Sequence, residues 1–312
     1  MINRYIGADI GGTSIKLGII DEEGNISERR EIPYRSMEEH PDVMKYLIKG
    51  IRDLMDTCGQ ETGAFSGIGV SAAGCINSVT GSVADNGGNI PGWSHTEVVK
   101  TLREEFGIPA SLANDGNCAI LGEQWIGAAE GFSDVLGVTL GTGVGGGIIT
   151  GGRLLEGSRG YAGEIGHFPT HAGGAHCICG LDGCFERYAS TSALTRKAST
   201  ADPDWDNGRA FFEAVSRGDE TAKAILDEWI TDIAYGIAGL IHVFDPQIIL
   251  IGGGVSKQED LLISPLRDKV LSMVMPDFAD GITFRAAQLS NDAGIAGAVR
   301  YLISKEEFSN KM

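Results

Sequence analysis

Two stretches of this chain follow one plan. An apolar run over 4–10 stops at Gly11-Gly12-Thr13 and resumes as Ile15-Lys16-Leu17-Gly18-Ile19-Ile20. A second run over 134–140 stops at Gly141-Thr142-Gly143 and resumes over 146–150. An apolar run, a turn of small residues and another apolar run read as a hairpin. In the first half the spacing then predicts a third strand near 26–32 and a helix over 39–58, with Val43, Leu47, Ile51 and Leu54 on one face. A strand at 67–71, a helix over 95–106, a strand at 110–113 and a helix over 116–129 follow. In the second half helices are predicted over 187–198, 208–217, 219–243 and 259–275, strands at 248–251 and 282–287, and a last helix over 292–304. The repeat predicts two α/β domains with a cleft between them. The expected bounds are 1–117 and 118–297, with the terminal helix at 298–312 packing back on the first domain.

Composition narrows the function. No run of eighteen apolar residues is present, so no membrane span is expected. The start, MINRYIGADIGGT, lacks the basic and long apolar regions of a secretory signal. A formal net charge of -17 disfavours nonspecific contact with nucleic acid or an anionic membrane. Six cysteines, three of them within 177–184, do not read as a disulfide scaffold. Cys58, Cys75 and Cys118 are expected as buried free thiols, and the expected compartment is the cytoplasm.

The sharpest local signal is GHFPTHAGGAHCICGLDGCFE over 166–186. His167, Cys177, Cys179 and Cys184 supply one imidazole and three thiols, a ligand set that zinc favours in tetrahedral geometry. Gly180 and Gly183 turn the chain between the last two thiols. Four protein ligands leave no vacancy for a hydrolytic water, so the zinc is expected to be structural and to hold the loop bearing Glu164, His167 and Glu186. His171 and His176 are the alternative ligands, with packing or exposed positions preferred for them. His40, His95 and His242 have no comparable neighbours and are expected to be structural.

Three glycine-rich segments are phosphate candidates, because small residues let backbone N–H groups approach an anion. In the first, Gly11, Gly12 and Thr13 form the turn, Lys16 offers charge, and Asp9 is a candidate for Mg²⁺. The pattern is not a P-loop, and a tight hairpin accounts for it equally well. In the second, Gly141-Thr142-Gly143-Val144-Gly145-Gly146 matches GxGxxG but runs into a strand-like segment. A dinucleotide fingerprint opens a helix, so a dehydrogenase is disfavoured. In the third, Gly252, Gly253 and Gly254 follow an apolar strand, with Ser256 able to cap the next helix. Asn114-Asp115 ends a short strand. Asp115 is either a helix cap or a base that accepts a hydroxyl proton. Asn89 and Trp93 stand in a rigid NIPGW loop that suits a polar ligand, although Trp93 also fits an ordinary core.

Taken together, DIGGTSIKLG at 9–18, NIPGW at 89–93, AND at 113–115, LGTGVGGGI at 140–148, AGEIGH at 162–167, CICGLDGCFE at 177–186 and IILIGGG at 248–254 make the chain resemble the ROK family (repressor, open reading frame, kinase), its glucokinase-like members above all. The resemblance spans nearly the whole chain. It implies the α/β actin-like ATPase (ribonuclease H-like) fold with ATP in an interdomain cleft. It also implies ATP-dependent phosphorylation of a hexose, glucose first, with N-acetylglucosamine, N-acetylmannosamine, mannose and fructose as alternatives. Asp115 looks like the catalytic base, and Asn89, Asn114, Glu164, His167 and Glu186 look like sugar-binding residues. His167 would use one ring nitrogen on zinc and the other toward sugar. Residues 9–13, 141–143 and 252–254 look like nucleotide and phosphate surfaces. The implied cofactors are ATP, Mg²⁺ and structural Zn²⁺, and the implied assembly is a homo-oligomer, a dimer first. Repressors of the family carry an added N-terminal DNA-binding domain; the first core strand begins within a few residues here, so no nucleic-acid partner is expected. A noncatalytic sugar sensor on the same fold is the competing reading, and an intact Asp115 argues against it.

Overall fold

The computed structural model describes residues 2–36, 41–59, 62–85 and 90–309. His40 and Asn89 lie outside them. The chain divides into two compact units, one of Met1–Glu130, Leu154–Gly163 and Leu289–Met312, the other of Gly131–Arg153 and Glu164–Gln288.

Unit one is built on a five-stranded sheet of order β3-β2-β1-β4-β7. The first hairpin pairs β1 (Arg4–Ile10) with β2 (Ile15–Asp21), and β3 (Ile26–Ile32) adds antiparallel to β2. β4 (Gly67–Ala72) and β7 (Ala110–Asn114) then run parallel to β1. β4 is buried along its whole length, as a parallel strand covered on both faces must be. One face packs on α1 (Val43–Thr57), whose Val43, Leu47, Ile51 and Leu54 enter the core, and on α2 (Val98–Phe106). Asp42 caps α1 by accepting from the Lys45 N–H, so the helix begins four residues later than its periodicity suggested. α2 likewise starts at Val98 rather than 95, because His95 sits at φ 63°, outside helical space. Two short antiparallel strands, β5 (Cys75–Asn77) and β6 (Ser82–Asp85), escaped the sequence reading.

The other face of this sheet takes α3 (Asp115–Ile126) and the helix Asp292–Ser309, α10 in chain order. Both approach to backbone contact. A Cβ on Gly69 would stand 2.2 Å from the Ala298 carbonyl, and one on Gly297 1.6 Å from that of Cys118. Glycine is required at these crossings because any side chain would push the helices off the sheet and off each other.

The segment Leu154–Gly163 is tied to unit one by Glu156. Its carboxylate accepts from Ser78 Oγ at 2.9 Å, Lys305 Nζ at 2.7 Å and the Tyr301 hydroxyl. Burial alone would raise this carboxyl, but the Lys305 ammonium and the two hydroxyls prevail and hold it below the ordinary glutamate value. A depressed carboxyl stabilises the fold above the unfolded pKa and loses that contribution as pH falls through the folded one. Glu156→Gln is therefore expected to destabilise by about 1–3 kcal/mol near neutrality. The deficit should shrink below about pH 4. Urea titrations at several pH values would check this; a deficit independent of pH would remove the charge from the explanation.

Unit two repeats the sheet order as β10-β9-β8-β11-β12. The second hairpin is β8 (Val135–Leu140) with β9 (Val144–Thr150), extended by β10 (Arg153–Leu154). β11 (Ile248–Gly252) and β12 (Thr283–Ala286) are parallel to β8. The expected helix 187–198 is two helices, α4 (Glu186–Ala189) and α5 (Thr191–Ala201). Ser190 breaks the run with extended backbone, and its side chain caps Ala193. α6 (Gly208–Ser216) follows, capped by Asn207. α7 (Glu220–Phe244) is 25 residues long, capped by Asp219 and ended at Asp245 in left-handed backbone. Ser256 caps nothing: the next helical segment starts beyond Gln258 with a wide turn, in which the Ile263 N–H reaches back five residues to the Gln258 carbonyl. α8 (Ser264–Met273) and α9 (Pro276–Ala279) complete the unit. No helix among the described residues is long and apolar enough to cross a membrane.

Candidate active site

In unit one the polar residues collect at the carboxyl ends of the parallel strands β1, β4 and β7. Asn114, the last residue of β7, caps α3: its Oδ1 accepts from the N–H groups of Gly116 at 2.8 Å and Asn117 at 3.2 Å. Its Nδ2 donates to the Gly74 carbonyl at 3.1 Å. The cap is thus Asn114, and Asp115 is left as the first helical residue, its carboxylate accepting from Gly116 N–H at 2.8 Å. Asp115 is open to water yet set in dense protein. That setting, and then the charge of Asp9, raise its carboxyl above the ordinary aspartate value. Asp9, half-buried on β1, is raised by desolvation, against the pull of the Ser71 hydroxyl at 2.7 Å and of Lys16. The first turn of α10 lies against it; a Cβ on Gly294 would stand 2.6 Å from its carboxyl carbon.

The rest of the first phosphate candidate is a tight turn. The Gly11 N–H donates to Ser14 at 3.1 Å, and the Gly11 carbonyl accepts from the Tyr34 hydroxyl at 2.5 Å. Arg35 donates to the Gly12 carbonyl at 3.2 Å, and Thr13 is exposed. Lys16 stands beside Asp9 in the sheet register and gives its ammonium to Asn291 at 2.9 Å. Trp93 is core, with its indole N–H unpartnered among the described residues. Asn117 was not foreseen. Two residues along α3 from Asp115, it donates to the Ala162 carbonyl at 3.3 Å, and its own buried carbonyl has no partner among the described residues.

In unit two the GxGxxG match is a hairpin turn, closed by the Gly141 N–H on the Gly143 carbonyl at 3.0 Å. Beside it lies a cavity of about 930 Å³. Gly141 and Thr191 form one wall, Phe212 and Arg209 another, and Gly254 and Val255 a third. Thr191 fixes the turn, its hydroxyl and N–H both donating to the Gly141 carbonyl. Gly253 takes φ 93°, and a Cβ there would stand 2.1 Å from the Leu140 carbonyl. The volume and the mixed lining suit a nucleoside. The α6 wall went unread because its residues carry no motif. Gly253→Ala adds a left-handed penalty of about 1–2 kcal/mol to that clash. It should weaken nucleotide binding at least tenfold by calorimetry; unchanged affinity would separate this turn from the ligand.

The knuckle is assembled as expected. The ligand atoms of His167, Cys177, Cys179 and Cys184 all lie within 4.8 Å of one another. Cys179 Sγ and Cys184 Sγ are 3.5 Å apart, and Cys177 Sγ is 3.7 Å from His167 Nδ1. Tetrahedral zinc with ordinary bond lengths puts sulfur ligands about 3.8 Å apart and sulfur and nitrogen about 3.6 Å apart. Burial and the two neighbouring thiols push the Cys184 thiol up to about 12. Gly180 and Gly183 take φ 89° and 78° to make the turns. His171 instead stacks on Tyr188 with ring centroids 3.7 Å apart, and the exposed His176 pairs with Asp182 at 2.9 Å. All six cysteines are free; Cys118 is buried as expected, whereas Cys58 and Cys75 are only partly covered.

Glu186 joins the knuckle to the phosphate turn. One carboxylate oxygen lies 3.7 Å from Cys177 Sγ; the other accepts from the Val144 N–H at 3.2 Å and would be 2.1 Å from a Cβ on Gly143. Glu164 is exposed, one residue before the turn Ile165–His167.

Two sheets of one order, each led by a glycine-turned hairpin, place the protein in the actin-like ATPase class. Within that class the chain belongs to the ROK family, whose model matches residues 5–305. It is 34% identical over 311 residues to a glucokinase from Thermotoga maritima, covering 95% of this chain and 96% of the relative. Among solved structures it is similar to a ROK hexokinase from Thermus thermophilus, with TM-score 0.82, 30% identity and coverage of 97% and 99%. It is also similar to a ROK glucokinase from Streptomyces griseus in complex with glucose and AMPPNP, with TM-score 0.77, 32% identity and coverage of 96% and 98%.

Proposed function

We propose that this chain is a hexose kinase that transfers the γ-phosphoryl group of ATP to a sugar hydroxyl, with glucose giving glucose 6-phosphate as the first choice. The observation that carries the reading is Asp115. Its neighbour Asn114 takes over the capping of α3, so the Asp115 carboxylate remains accessible at the strand end, with an affinity for protons raised above the ordinary aspartate. Such a group suits general-base work on an alcohol. The similarity to glucokinases, one solved with glucose and an ATP analogue, supports the same reading.

In this scheme Asp115 accepts the proton of the attacking hydroxyl as its oxygen bonds to the γ-phosphorus and the bond to the β-phosphate oxygen breaks, leaving ADP. Asn89, Asn114, Glu164, His167 and Glu186 would hydrogen-bond the remaining hydroxyls. Pairing of that kind discriminates strongly, because a missing hydroxyl leaves its partner unsatisfied. The backbone around Gly11–Thr13 and Gly141–Gly143 would face phosphate oxygens, and Gly253 and Gly254 the nucleoside.

The donor set of Asp9 fits Mg²⁺: a half-buried carboxylate oxygen, near a second carboxylate, is what a hard cation takes. Mg²⁺ supplies charge neutralisation at the phosphates when bound. The three thiols and one imidazole fit zinc, in a closed site with a structural role. His167 would bind it through Nδ1, the nitrogen nearest Cys177, leaving Nε2 for sugar. The cytoplasm is the proposed compartment, and a homodimer is the proposed assembly.

The test is ADP release with MgATP against a panel of hexoses and acetylated hexosamines. Sugar-dependent turnover with glucose preferred is expected. A folded, zinc-replete protein that turns over none of them would overturn the kinase reading.

A further inference from the structure

A second cavity, of about 610 Å³, lies wholly within unit one. It adjoins β7, the last strand of its sheet, at the opposite end from Asp115. Pro109, Ala110 and Ser111 line it at the amino end of that strand, whereas the carboxylates described above sit at the carboxyl end. Along a strand of this length the two are about 10–15 Å apart.

The wall has a distinct chemistry. Arg103 from α2 and Lys305 from α10 line it with Glu306, and the carboxylate of Glu156 engages Lys305, so Arg103 is the cation this wall leaves for a ligand. Arg103 spends one N–H on the Ala110 carbonyl at 3.0 Å. A guanidinium carries five donors, so most of its fork is uncommitted by that bond. Lys305 is shared with Glu156 at 2.7 Å. Four hydroxyls line the cavity: Ser78 and Tyr301 are engaged by Glu156 and Thr80 by Asn77 and Ser82, which leaves Ser111. Ser111 matters most. It is only 8% exposed, and its hydroxyl has no partner among the described residues. A buried hydroxyl left unpaired costs stability, and such orphans call for an explanation. A ligand in the cavity that its own residue lines would supply the missing partner.

A space this size takes a small molecule. The planar guanidinium of Arg103 suits a tetrahedral oxyanion, and the unpaired Ser111 hydroxyl suits a hydroxyl of a polyol attached to it. The geometry points to a second ligand site here, separate from the proposed transfer chemistry, for the phosphate ester of a small polyol.

The experiment compares glycerol 3-phosphate with glycerol at matched ionic strength, by thermal melting and titration calorimetry on the full chain. Binding with a rise in melting temperature is expected for the ester and not for glycerol. Arg103→Gln should weaken ester binding at least tenfold. Ser111→Val, which removes the hydroxyl and narrows the cavity, should weaken it as well and serves alone if Arg103→Gln fails to fold. No binding to the natural chain, equal response to glycerol, or undiminished binding in the folded variants would overturn the site. None of these outcomes bears on hexose turnover, so failure here is distinguishable from failure of the kinase reading.

Discussion

Asp115→Asn is expected to lower kcat by about two to four orders of magnitude while leaving the binding of sugar and nucleotide nearly unchanged. The substitution keeps size and hydrogen-bonding shape and removes only the ability to take a proton. The fold does not need the charge, because the α3 cap is Asn114 and the Asp115 carboxylate bonds locally to Gly116. Calorimetric titration with glucose and with AMPPNP, beside coupled ADP release, separates chemistry from binding. A variant with near-normal turnover would take Asp115 out of the base role; one that lost sugar affinity as severely as rate would make it a binding residue instead.

The sign of the carboxyl shift extends this. An aspartate raised in the fold favours the native state below its unfolded pKa, and that contribution is lost as pH rises through the folded value. Ionised Asp115 beside Asp9 is thus a small burden on stability at neutral pH, kept small by its access to water. Asp115→Asn should melt slightly higher than the natural chain at pH 7 and level with it in acid. The acid limb of kcat/KM should stand above the ordinary aspartate value, because the base must be ionised to act.

Legibility in the sequence followed locality. The hairpins at 4–20 and 135–150 were readable because apolar alternation and glycine turns are written side by side, and α7 because 25 residues keep one apolar face. The four knuckle ligands were readable because they lie within eighteen residues, and their side chains do converge. The break at Ser190 was not, since serine is tolerated inside helices until its side chain finds a backbone N–H to cap. The late start of α2 rests on the backbone of His95, which no periodicity encodes. Lys16 was read as a source of charge beside the first glycine turn; that its ammonium also meets Asn291, 275 residues away, is written in no local pattern. The Glu156 clamp and the α6 wall likewise join residues that are distant in sequence. Asn117 carried no local signal: two residues after Asp115 it falls on a different helix face, and its partner Ala162 is 45 residues away.

Cys179→Ser should cost the protein its metal, much of the stability of unit two and its hold on sugar together. Three sulfurs crowded as closely as 3.5 Å beside an imidazole are a poor arrangement for thiols alone and a good one for zinc. Cys179 is the exposed member of the set, so serine there makes no cavity, and the loss reports on the metal rather than on packing. Zinc should fall from one equivalent per chain toward none by elemental analysis. A melting temperature lower by on the order of 10 °C is expected, since a closed zinc site contributes folding free energy directly. The sugar KM should rise more than the ATP KM, because the neighbour of Cys177 is Glu186, a proposed sugar ligand, while the cavity beside Gly141 is walled by α5 and α6. Chelation of the natural chain should reproduce all three effects, and added zinc should reverse them there but not in the variant. A folded, zinc-free and fully active Cys179→Ser protein would reduce the knuckle to packed thiols and detach it from the sugar site.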